Sequence, residues 1–228
     1  NWRPAAKVLT NRYRLLVYDA RGQGESGLGV QPLSLGLHAS DLRHLLNELN
    51  IQATAVVGIS HGARVALAMA KMAPDLITRL VLCSLSTRST FRAKMIVRSW
   101  NEILQHHSLD AMVWAALPHV FGQRFLRENE GNLERIVKTI VRRNHTDALR
   151  AHLEAMQHYP PLRNGLKALP FLSLVLTGDD DPLVTQDGAG EIAGICGGRH
   201  EHLPEIGHSI PAEAPEAFVR VVGDFLAR

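Results

Sequence analysis

The stretch AVVGISHGARVALAMA, Ala55 to Ala70, places two different periodicities side by side. Its first residues are apolar and partly β-branched, as in a strand; its last follow an Ala/Leu/Met pattern, as in a helix. Between them lies Gly58-Ile59-Ser60-His61-Gly62. A chain that leaves a strand and enters a helix over so few residues is sterically crowded. Glycines on either side of Ser60 relieve the crowding by removing a Cβ where backbone must approach closely. As a bare string G-x-S-x-G is weak evidence. Strand before and helix after supply the context of a nucleophile elbow, with the hydroxyl of Ser60 projecting beside a helix N-terminus that favours developing negative charge.

Working outward, further apolar runs read as strands: Tyr13–Tyr18, Ala53–Ile59, Leu80–Leu85, Phe171–Leu176 and Arg199–Leu203. The first four are nearly continuous in Val, Leu and Ile, the pattern of parallel strands covered on both faces. Helical patterns fall between the early ones, at Leu37–Leu49 and at His61–Met72, the latter stopped before Pro74. This alternation predicts an α/β fold with a mostly parallel sheet flanked by helices. Right-handed crossovers then gather the loops after the strands on one edge.

The alternation breaks after Leu85. Thr90–Gln105, Ser108–Leu117, Gly122–Arg127, Leu133–Arg143 and Asp147–His158 read as helices with no strand among them. Residues 1–85 and 169–228 therefore form the expected core, and 86–168 an inserted all-helical cap over the strand ends. The segment Ser86–Ala168 holds 13 Lys/Arg against 7 Asp/Glu, while the remainder holds 12 against 15. A basic cap on an acidic frame favours an anionic substrate or partner. The basic residues lack the interleaved aromatics of a nucleic-acid groove, so no nucleic acid is expected. No apolar run reaches the roughly 20 residues of a membrane span. Cys83 and Cys196 read as buried hydrophobes of a reducing, cytoplasmic compartment.

A serine hydroxyl needs a base, and the base an orienting carboxylate. PFLSLVLTGDDDPLV delivers Asp179, Asp180 and Asp181 just past a strand; Asp181, before Pro182, is the chosen acid, the other two serving a turn. Gly207-His208 follows the last strand and precedes an amphipathic helix, so His208 is the chosen base. His61 adjoins the serine on a sharp turn and contributes its backbone N–H to an oxyanion hole. His200 and His202 fall within a strand. His106, His107, His119, His145, His152 and His158 fall in the cap without carboxylate-rich metal spacing, so no metal or cofactor is expected.

Taken together, these motifs resemble the α/β-hydrolase superfamily. Tyr18–Ser26 (YDARGQGES) is similar to its D-x-R-G-x-G-x-S segment, Ser60 to its elbow, Asp181 and His208 to its acid and base. Glu213, Pro215 and Phe218 follow its closing pattern. The resemblance implies that the family's first three strands and the oxyanion loop after the third lie outside this chain, an N-terminally truncated fold. Tyr13–Tyr18 and Ala53–Ile59 would then lack the strand between them.

The expected activity is that of a serine hydrolase cleaving an ester, thioester or lactone, with a small-molecule acyl substrate. Trp100, Trp114, Leu117, Phe121 and Phe125 are candidate acyl-pocket residues. Alternatives are acyl transfer of the 3-hydroxyacyl synthase kind, which the cap stretch WAALPHVFGQRFL resembles and which an acyl-CoA or acyl carrier protein would feed; C–C bond hydrolysis; or a catalytically silent binding protein. The oligomeric state is not legible.

Overall fold

A computed structural model describes residues 2–227. Four strands, β1 (Thr54–Ile59), β2 (Ile77–Cys83), β3 (Leu172–Gly178) and β4 (Arg199–Leu203), form one parallel sheet in sequential order. Among the described residues eleven α-helices accompany them: α1 (Arg3–Leu9), α2 (Leu35–Glu48), α3 (His61–Met72), α4 (Phe91–His106), α5 (Leu109–Val120), α6 (Gln123–Glu128), α7 (Leu133–Arg142), α8 (Thr146–His158), α9 (Gln186–Cys196), α10 (Ile210–Glu213) and α11 (Pro215–Leu226). This is the expected α/β arrangement, a parallel sheet flanked by helices.

The sheet is buried on both faces by alternation along its strands. On β2, Leu80 and Leu82 enter one core with residues of α2, α3 and α9, while Val81 and Cys83 enter the other with Ala5 of α1 and Phe218, Val222 and Phe225 of α11. Strand β3 repeats the pattern, Val175 to the first core and Leu174 and Leu176 to the second. All seven of these strand residues are fully buried. Truncating any one of the four leucines to alanine would cost about 2–5 kcal/mol through lost transfer energy and the cavity left behind.

Helix starts are set by side-chain caps that periodicity alone does not place. Ser34 accepts from the Leu37 N–H, Thr90 from Ala93, Ser108 from Ala111 and Thr185 from Gly188. Helix α2 consequently begins at Leu35, two residues before the expected Leu37. Helix α9 carries three glycines within its span, which hides its apolar stripe from a reading of the sequence.

The segment Tyr13–Tyr18, expected as a strand, is not one: Arg14–Asp19 has no regular secondary structure. A strand exists only where a neighbour completes its hydrogen-bond ladder, and among the described residues none pairs with it. Leu16, Val17 and Tyr18 stay exposed, Val17 at 58%. For the same reason the outer edge of β1 carries no partner strand among the described residues.

Helices α4–α8 leave the sheet after β2 and return before β3, building a core of their own around Leu104, Val113, Leu117, Phe121 and Val137. Among the described residues no helix is long and apolar enough to cross a membrane. Both cysteines are free and buried.

Candidate active site

Ser60 sits between β1 and α3 with φ 53° and ψ −116°, a strained conformation for a residue with a side chain. Its amide donates to the Cys83 carbonyl at 2.9 Å, and its own carbonyl accepts from Ala63 and Arg64, the first turn of α3. These bonds hold the turn against its strain. Gly58 is required here: a Cβ on it would lie 2.3 Å from the carbonyl oxygen of Gly62. At Gly62 itself a Cβ would meet nothing within 4 Å, so the crowding expected at both glycines is found at the first.

The three residues picked out along the chain converge. Ser60 Oγ lies 2.7 Å from His208 Nε2, and His208 Nδ1 lies 2.7 Å from Asp181 Oδ2. A carboxylate only accepts, so Nδ1 carries the proton it donates to Asp181, and Nε2 presents its lone pair to the Ser60 hydroxyl. Asp181 Oδ1 accepts from the Leu183 amide at 2.8 Å. Its side chain is shut away from solvent, and that of His208 is 10% exposed. Asp180 accepts from the Gln123 amide at 2.7 Å, tying the core to the start of α6, and Asp179 takes a long bond from Gln186. The neighbouring aspartates thus have structural employment.

Two further residues, which the motifs did not reveal, position His208. Ser84 follows β2 in a left-handed conformation (φ 54°), and its hydroxyl donates to the His208 carbonyl at 2.7 Å. Glu213 accepts from the amides of Gly122 (2.8 Å), Gly207 (2.9 Å) and Ser209 (3.1 Å). One carboxylate therefore clamps the His208 loop to the helical insertion. Burial raises its pKa, and the three amide donors pull it only part of the way back. The glutamate was visible in sequence as a family position, but its role was not; the run C-S-L-S after β2 was the only trace of Ser84.

The proposed pocket residues have mixed surroundings. Leu117 and Phe121 are buried within the insertion's core, Trp100 and Phe125 pack against it, and Phe121 stacks on Phe125 at 4.6 Å. Trp114 is 41% exposed. Of the surface clefts, one runs along α7 with Arg135, Lys138 and Arg142, and another lies where α6 meets Asp179 and Asp180. Neither is lined by Ser60 or His208.

A second cluster includes His61, the residue after the serine in sequence. His38 of α2, His61 of α3 and His152 of α8 bring one ring nitrogen each within 4.8 Å of the others. Burial first, then mutual repulsion, pushes His38 down to about 4 and His61 down to about 3; burial also lowers His152. In all three the shift favours the neutral ring. Both nitrogens of His38 and Nδ1 of His152 are buried without a hydrogen-bond partner, a situation that costs about 1–3 kcal/mol per group. Spread over three distant segments, the cluster was invisible along the chain.

A parallel sheet whose strand-to-helix elbow sets a serine against an imidazole and a carboxylate is the architecture of the α/β hydrolases. The chain belongs to the alpha/beta hydrolase family, whose model matches residues 1–221. It is similar to RutD of Caulobacter sp. (strain K31), a protein provisionally named a carbamate hydrolase, at 26% identity over 99% of this chain and 85% of that protein. Among solved structures it resembles the enol-lactonase of Burkholderia xenovorans LB400 (TM-score 0.89, 25% identity, 100% of this chain and 86% of that one). It also resembles a thermophilic esterase of Thermogutta terrifontis (TM-score 0.87, 25% identity, 99% and 84%). These three relatives are named for hydrolytic reactions.

Proposed function

We propose that this protein is a serine hydrolase acting on an ester, thioester or lactone through an acyl-enzyme on Ser60. The observation that carries the reading is the continuous hydrogen-bond chain from Ser60 through His208 to Asp181, with 2.7 Å at each step. His208 Nε2 takes the hydroxyl proton as Oγ attacks the acyl carbon. Asp181 holds the ring in the productive tautomer and stabilises the imidazolium. The N–H of His61, at the first position of α3 and so without a helical acceptor, faces the developing oxyanion. His208 then protonates the leaving oxygen or sulfur, and in a second half-reaction draws a proton from water to release the acid.

Hydrolysis of a short acyl p-nitrophenyl ester and labelling by a fluorophosphonate test it. Wild-type protein should label at Ser60, and Ser60→Ala should lose labelling and about 10³-fold or more of kcat. Asp181→Asn should retain the fold and lose most of its rate through the wrong tautomer. Unchanged turnover in folded Ser60→Ala would overturn the assignment.

A further inference from the structure

We infer that His38, His61 and His152 form a binding site for one divalent transition ion of the zinc class, joining α8 of the helical insertion to α2 and α3 of the core. This inference is independent of the hydrolytic reading and departs from the expectation, formed along the sequence, that the chain binds no metal.

The donor set fits such an ion. Imidazole nitrogens suit Zn²⁺, Co²⁺ and Ni²⁺, and three histidines with an open fourth position are a known zinc arrangement. The three donor atoms already lie within 4.8 Å of one another. Tetrahedral coordination with Zn–N near 2.1 Å places donors about 3.4 Å apart, so the rings need to close by no more than about 1.4 Å. The ring centroids stand 4.9 Å (His38–His61), 5.3 Å (His38–His152) and 5.3 Å (His61–His152) from one another.

The outer contacts fit as well. His152 Nε2–H donates to the Arg21 carbonyl at 2.9 Å. A carbonyl only accepts, so the other nitrogen, Nδ1, holds a lone pair, and it is buried with no partner. A metal-bound histidine commonly donates its remote N–H to a backbone carbonyl in this way. His61 Nε2 meets the Tyr159 hydroxyl at 3.2 Å, the same kind of support. His38, 2% exposed, has neither nitrogen satisfied, and His152 is 4% exposed. Two buried imidazoles with idle nitrogens facing a third are a polar arrangement that packing alone does not explain. The charges nearby are those of Arg21, paired with Asp41, and of Arg64, which opposes a cation. The ion is therefore held by donor geometry rather than by a negative field.

Zinc titration by calorimetry of the full chain, stripped of metal with a chelator, tests the site. One equivalent of Zn²⁺ should bind and raise the thermal midpoint, and Co²⁺ should give the visible bands of a tetrahedral nitrogen-rich site. Affinity should fall at least tenfold in His38→Leu and in His152→Leu, and hold in His106→Gln/His107→Gln, which removes the exposed pair on α4. If His38→Leu or His152→Leu lacks the wild-type near-ultraviolet circular dichroism, zinc-edge X-ray absorption of the loaded wild-type protein decides. Three imidazole shells support the site; one or none overturns it. No zinc uptake, or uptake unchanged in folded His38→Leu and His152→Leu, would also overturn it.

Discussion

At the scale of single residues, Glu213 shows how a side chain remote from chemistry can govern it. Its two oxygens satisfy three amides, one from the insertion and two flanking His208. Glu213→Gln replaces one oxygen by an amide that cannot accept from the Ser209 N–H. It should cost about 1–3 kcal/mol and lower kcat about tenfold with little change in KM, read by steady-state kinetics beside thermal unfolding. The raised pKa fixes a sign. The native state holds the Glu213 proton to higher pH than the unfolded chain, so this group's contribution to stability is present below its ordinary 4.5 and is lost as pH climbs through the raised value. Denaturation midpoints across that window should flatten in Glu213→Gln; an unaltered slope would refute the assignment. Ser60, Asp181 and His208 were legible beforehand because each is announced by its own neighbours: a strand-to-helix turn, an aspartate run after a strand, a Gly-His before a helix. Ser84 and the three clustered histidines were not, because their partners come from other elements and leave no local pattern, and Glu213 showed only as a position of the closing pattern.

At the scale of elements, the elbow converts a backbone constraint into a half-buried hydroxyl set against His208. Gly58 sits so close to the following helix that any Cβ collides with backbone rather than with a movable side chain. Gly58→Ala should therefore displace Ser60 from His208 and reduce kcat/KM by more than 10²-fold. A crystal structure of that variant retaining the 2.7 Å contact would contradict this. Strand and helix types were largely readable, and their ends were not. The Ser34 cap, for one, set the start of α2 ahead of the apolar periodicity. Tyr13–Tyr18 failed as a strand for a different reason. Its composition suits a sheet, but composition cannot supply a neighbour, and strand formation is a property of pairs.

At the scale of the whole molecule, helices on both faces of the sheet leave the loops after β1, β3 and β4 to meet at one rim, and the insertion is tied there by Asp180 and Glu213. The rim explains why residues so far apart in sequence share one hydrogen-bond chain. The opposite consequence belongs to the side of the sheet. Among the described residues the outer edge of β1 pairs with no strand, and β1 has neither lysine nor proline to discourage a visitor. Such a border is a template: another extended segment that docks there gains a ready ladder. Sedimentation velocity on the 228-residue chain should show its sedimentation coefficient rising with protein concentration, whereas a constant monomer value would mean that the border is sealed in solution.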